Sequence, residues 1–157
     1  MRLRMLAWGA VLGLLVALLT PMAALAQADT TTIHFSDTAS FPEVNPCSGA
    51  TGTATVDFKG VRHITALDNG TFHETGTDTG TFTFVPDDPS QPTYTGHFAS
   101  WFGQNVNSRN FTETSTFNVA LKGSDGSRIT VHAVAHITLH ADGTVSVEFE
   151  TERVHCG

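Results

Sequence analysis

Arg62, Glu74 and Asp78 are the residues of this sequence best spaced to do chemistry together. The triplet Asp68-Asn69-Gly70 separates two runs in which apolar and polar residues alternate, and a three-residue hairpin loop with its glycine last sets Arg62 opposite Gly76. Glu74 and Asp78 then lie diagonally across the hairpin, within reach of a long side chain. An arginine oriented by two carboxylates suits a carboxylate or another anion. Glu113 and Ser115 fall on the same parity further along, where Glu113 offers an acid or base and Ser115 a hydroxyl; Ser100 and Arg153 share that parity. Gly60, Gly76, Gly80, Gly96, Ala133 and Ala135 also share it and leave room. Together they suggest a polar recess in, or at the mouth of, a small barrel. The opposing reading is a bulge at Gly60 and Gly76, which reverses the faces beyond it and leaves Arg62 and Glu74 as solvated charges.

Other reactive types form weaker patterns. Among the eight histidines, His63, His73, His97, His132, His136 and His140 fall on the opposite, threonine-rich parity. His132 and His136 are four residues apart on one strand, about 13 Å, and cannot share an ion. In the last hairpin His136 is expected opposite Glu148 and His132 opposite Glu152, as surface ion pairs below about pH 6.5. No metal and no cofactor is expected. One of the adjacent pair Trp101 and Phe102 must face outward, which makes Trp101 the candidate surface contact for a sugar, lipid or protein. The sequence has no Gly-x-Ser-x-Gly, phosphate loop or nucleophile–base motif, so no residue is assigned a catalytic role.

Strands must position these residues. Alternation of period two runs from Thr51 to Val154, with almost no helical periodicity. Strands are expected near residues 31–38, 51–67, 71–85, 93–104, 111–122, 127–140 and 144–154, with loops through Pro42 and Pro46 and over Pro86–Pro92. Asp68-Asn69-Gly70, Ser124-Asp125-Gly126 and Ala141-Asp142-Gly143 share the three-residue hairpin form. The side chains agree with that choice. It sets Val56 opposite Phe82, Ala54 opposite Phe84, Leu121 opposite Ile129 and Val119 opposite Val131. In the last hairpin it sets Leu139 opposite Val145, Ile137 opposite Val147 and Ala135 opposite Phe149. A slip of one residue would pair apolar with polar. The inward face then carries Phe58, Phe72, Phe82, Phe84, Tyr94, Phe98, Phe102, Phe117 and Phe149, which is a core before it is anything else.

Consecutive hairpins imply an all-β, antiparallel up-and-down meander of about seven to eight long strands, in a closed or nearly closed barrel, with a two-sheet sandwich as the alternative. Cys47 precedes the second strand and Cys156 follows the last, so both lie at one end of the meander. As an even pair in an exported chain they are expected to form a disulfide that draws the last strand toward the first.

The N-terminus carries the marks of an export signal. Arg2 and Arg4 precede an apolar run from Leu6 to Leu19, Thr20-Pro21 breaks it, and small residues lead to a cleavage point near Ala28. Residues 1–28 are therefore expected to be a signal peptide and residues 29–157 a single secreted β domain with no membrane span. Removing Arg2 and Arg4 leaves that domain two charges more acidic than the −7 of the full chain. Nucleic acid is excluded as a partner by such a charge, and anionic membrane is a poor one.

Asn45-Pro46-Cys47-Ser48-Gly49, followed by His63-x-Thr65 and by Asp68-x-Gly70-x-x-His73, resembles a group of small secreted bacterial proteins, of actinobacterial type, that carry no assigned activity. Trp101-Phe102-Gly103 and Ser124-Asp125-Gly126 resemble that group too, although Ala50 stands where its members often have Glu. The resemblance implies a bacterial exported protein and supplies no substrate. The functional expectation is a secreted barrel binding a small anionic or apolar ligand. The alternatives are an extracellular protein-interaction module using Trp101 and a non-hydrolytic enzyme of isomerase or cyclase type.

Overall fold

The computed structural model describes residues 29–157, and the signal peptide expected in residues 1–28 lies outside the described residues. The strands are β1 (Asp29–Val44), β2 (Thr51–Ala66), β3 (Phe72–Pro86), β4 (Tyr94–Val106), β5 (Asn110–Gly123), β6 (Arg128–His140) and β7 (Val145–Cys156). They form one seven-stranded antiparallel sheet in chain order. This is the up-and-down meander that the alternation implies. The sheet stops short of closure, so β1 and β7 are its two edges.

One device builds three of the hairpins. Gly70, Gly126 and Gly143 take left-handed φ values of 79°, 90° and 82°, which glycine adopts without steric cost. The residue before each glycine caps the turn. Asn69, Asp125 and Asp142 accept the backbone N–H of Thr71, Ser127 and Thr144 at 2.9, 3.0 and 2.9 Å. The registers that follow are the expected ones in β2–β3 and β5–β6: Val56 opposes Phe82, Arg62 opposes Gly76 and Val119 opposes Val131. The β2–β3 pairing runs unbroken from Gly52 to Ala66, so no bulge at Gly60 or Gly76 reverses the faces.

Two strands depart from expectation. β1 continues through Pro42, opposite Thr53, to Val44 instead of ending near residue 38. An edge strand tolerates proline because one side of its backbone has no ladder to complete. In the last hairpin, Leu139 opposes Val145 as expected, but Thr138 then pairs with Val147, leaving Ser146 as a bulge. Beyond it Ile137 opposes Glu148, His136 opposes Phe149, Ala135 opposes Glu150, Ala133 opposes Glu152 and His132 opposes Arg153. Phe149 and Arg153 therefore leave the inner face, and the expected His136–Glu148 and His132–Glu152 pairs do not form. His136 instead stacks on Phe149, with ring centroids 5.8 Å apart.

The cause is a conflict of counting. The turn fixes Leu139 opposite Val145, and the cysteine bridge holds Cys156 on the inner face opposite Ile129. β6 covers that distance in ten steps and β7 in eleven, so β7 must carry one extra residue.

Packing is concentrated at the disulfide end. Phe82, Phe84, Tyr94, Val119, Ile129 and Val131 are buried together with Ala54, each larger side chain contributing about 1.5–3 kcal/mol. Glu43 and Asn45, at the end of β1, line the same void of about 30 Å³ as Val119, Ile129 and Val131 from β5 and β6. The sheet is therefore curled, with the end of β1 brought across to its far strands. Asn45 accepts the N–H groups of Cys47 (2.9 Å) and Ser48 (3.2 Å), forming the turn that presents Cys47. Cys47 and Cys156 are joined across a sequence separation of 109 residues, with Cα atoms 5.8 Å apart. Such a bond belongs to an oxidising compartment. Among the described residues no helix is long and apolar enough to cross a membrane.

Candidate functional site

Away from the disulfide the inner face turns polar. Residues paired across a sheet point to the same side, so each row of partners shares a face. One row runs Ile64, Glu74, Gln104, Glu113, Ile137, Glu148; the next runs Arg62, Gly76, Phe102, Ser115, Ala135, Glu150. A third runs Gly60, Asp78, Ser100, Phe117, Ala133, Glu152. The rows bring Arg62, Glu74, Asp78, Glu113 and Ser115 onto one face, as their parity predicts. Trp101 is on the outer face, 40% exposed, with its ring over Gly103.

Arg62 is the centre of the cluster. Its Nη1 lies 3.5 Å from Glu74 Oε1, and its guanidinium sits 4.8 Å from the Phe35 ring centroid and 5.6 Å from that of Phe102. Aromatic faces attract a cation at these distances. Gln104 Nε2 donates to Glu74 Oε2 at 2.6 Å, and Ser100 donates to Asp78 Oδ2 at 3.4 Å. Glu74 and Asp78 are 4% and 6% exposed, and Asp78 Oδ1 is buried without a hydrogen-bond partner. Glycine creates the space for this arrangement. A Cβ at Gly76 would meet the Phe102 ring, and one at Gly60 would meet Asp78 Oδ1 and the Phe35 ring. Gly76→Ala is expected to push Phe102 off Arg62 and to cost about 1–3 kcal/mol, read from the urea midpoint.

Acid outweighs base here. Glu74, Asp78, Glu113, Glu148, Glu150 and Glu152 share the inner face with the lone cation Arg62 among the described strand residues of these rows. Arg62 faces Glu74 at ion-pair distance, which offsets its charge, although its Nε and Glu74 Oε1 are buried without hydrogen-bond partners. Burial pushes the Asp78 carboxyl up, against the opposing pull of Arg62 and Ser100. Burial, then the neighbouring Glu74, pushes Glu113 up. Near the disulfide, Glu43 is raised by burial and by Glu152, against the Val44 N–H; Glu152 is raised by burial and by Glu150.

A raised carboxyl holds its proton more tightly in the folded state, so its charged form penalises the fold. That penalty is present at pH 7 and is relieved as pH falls through the raised values toward the ordinary 4.5 of Glu and 3.8 of Asp. The turn carboxyls Asp125 and Asp142 act oppositely: hydrogen bonds from Ser127 and Thr144 lower them, and their contribution is lost only below 3.8. The urea midpoint is therefore expected to be higher at about pH 5 than at about pH 7.

Sequence reasoning missed five groups in or beside this site. Gln104 lies on the parity that put Phe102 inside, so the signal for it was present. Phe35 depended on the pairing of β1, which the sequence left open. Glu148, Glu150 and Glu152 face outward in the expected register, and the bulge at Ser146 turns them inward. A small void beside Tyr94 and an open depression beside Phe35, Lys59 and Thr77 are lined by neither Arg62 nor Glu74. Among the described residues no group of three or more His, Cys, Asp or Glu is disposed to hold a metal ion.

Fold and site define a curled, disulfide-tied antiparallel meander with an acidic, aromatic-edged inner face. The chain matches no protein-family model, and comparison with the curated proteins and the solved structures finds no match.

Proposed function

We propose that the protein is exported, loses residues 1–28 as a signal peptide, and binds a small organic cation on the inner face of its curled sheet. The observation that carries this reading is the excess of inward carboxylates around a cation already accounted for. Arg62 rests between Phe35 and Phe102 against Glu74, and Glu113 stands one row away beside Ser115 and Ala135 with no cation opposite it. Aromatic faces and carboxylates are the groups that recognise ammonium and guanidinium ligands. Ser115, Ala133 and Ala135 are short enough to leave a floor for an aromatic or alkyl body, and the exposure of β7 leaves that side open. The electrostatics favour this class over the anionic ligand that Arg62 alone suggests.

A charge-swapped pair of probes tests it. Phenethylammonium should shift the amide NMR signals of Phe102, Glu113 and Ser115, and phenylacetate should not. Glu113→Gln should weaken the phenethylammonium response about tenfold, the loss of one charge-assisted contact. Equal response to both probes, or to phenylacetate alone, contradicts the proposal.

A second reading rests on the outer face. Trp101 is 40% exposed, and the bulge turns Val147 and Phe149 outward at 47% and 48% exposure. Exposed aromatic groups of this kind suit a protein partner. Trp101→Ser should leave the stability measured by urea unfolding within about 0.5 kcal/mol of the parent while abolishing any such association.

A further inference from the structure

We infer that the open seam between β1 and β7 accepts an extended peptide as an additional strand, pairing with β7 and carrying basic residues at alternate positions with apolar residues between them. Neither outer edge is paired within the sheet, and β7 is exposed on both faces along its whole length. The disulfide ties the turn after β1 to the end of β7, and no strand pairing joins β1 to β7 along the seam. An eighth strand would bring the sheet to the size at which small barrels close around filled interiors.

The chemistry of the occupant is written on both faces of β7. Glu148, Glu150 and Glu152 point inward, while Val147 and Phe149 point outward and are about half exposed. A strand laid antiparallel on β7 sets every second residue opposite these glutamates, where lysine or arginine fits and an apolar or acidic side chain does not. Its remaining residues fall opposite Val147, Phe149 and Thr151, where β-branched or aromatic side chains cover the exposed apolar surface. Charges and a bulge are common protections of a bare edge. Here they exclude acidic and purely apolar strands, and so leave the edge open to one class of segment. A second copy of this chain is a poor occupant, because β7 laid on β7 sets glutamates against glutamates. Strand addition of this kind draws affinity from the backbone and specificity from alternate side chains.

The probe is a labelled peptide, acetyl-Thr-Lys-Val-Lys-Val-Lys-Thr-amide, with its glutamate counterpart as control. The lysine peptide should bind the oxidised protein, slow hydrogen exchange at the β7 amides and lose affinity in high salt. Replacing Glu148, Glu150 and Glu152 together by Gln should weaken it by about tenfold or more. These residues are exposed, and β5–β6 amide signals report whether the variant keeps the fold. The inference is overturned by absence of binding, by equal binding of the glutamate peptide, by unchanged affinity in the folded triple variant, or by binding that protects no β7 amide. Self-association of the protein through β7, read by sedimentation, also overturns it.

Discussion

Cys47→Ser/Cys156→Ser is expected to lower the thermal midpoint by more than about 10 °C, through a loss of about 3–5 kcal/mol. The bond spans a sequence separation of 109 residues and encloses every strand but β1. Its removal releases the unfolded ensemble from a constraint that grows with loop length. The folded state loses something more local as well. β7 is held by its ladder to β6 alone and buries neither face, and the bridge adds a covalent tie from its end to the turn between β1 and β2. With the bridge gone, hydrogen exchange should quicken first along β7, while β3, β4 and β5 keep their protection. Thermal melts with and without reductant, followed by exchange at about pH 7, check both parts. Melts that coincide within a degree or two would contradict the assigned role.

The second large effect is expected at Arg62. Arg62→Met keeps most of the side-chain volume but removes the guanidinium, leaving the buried Glu74 and Asp78 without a counter-charge. Breaking a buried ion pair from one side costs about 3–5 kcal/mol. Glu74 has 5% side-chain exposure and Arg62 19%, so solvent screens the pair little. The loss should be greatest near neutrality and shrink toward acid, where a proton on Asp78 takes over part of the guanidinium's work. Arg62→Met/Glu74→Gln should recover much of the stability, because an amide tolerates the apolar surroundings better than an unpaired carboxylate. Urea midpoints of the parent, the single and the double variant at two pH values form the test.

The sequence carried most of this site because turn chemistry fixes register. Asn69-Gly70-Thr71 and Asp125-Gly126-Ser127 each combine a left-handed glycine with a side-chain cap, and from those two turns the partners of Arg62, Gly76, Phe117 and Val119 follow by counting. The same counting failed in β7 for a reason that lies outside the hairpin. Ala141-Asp142-Gly143 sets one parity for the strand, and the distant Cys47 demands the other for Cys156. Ser146 absorbs the difference. Local propensity cannot reveal such a conflict, since one of its terms is a contact made 109 residues away. β1 runs past its expected end because Pro42, which reads as a strand breaker, sits at the sheet edge. The sign of the inner face was lost with β7. The expected anion site rests on Arg62 between Glu74 and Asp78; the bulge removes Arg153 from that face and adds Glu148, Glu150 and Glu152, which makes it more acidic.

The most direct measurement is an NMR titration of the side-chain carboxyl carbons of Asp78 and Glu113. The predicted midpoints lie above the ordinary 3.8 and 4.5 of exposed groups, and phenethylammonium should lower the Glu113 midpoint as it supplies the missing counter-charge. Midpoints at or below the ordinary values, unmoved by the cation, would mean that these carboxyls face solvent and that the curled sheet encloses no acidic recess.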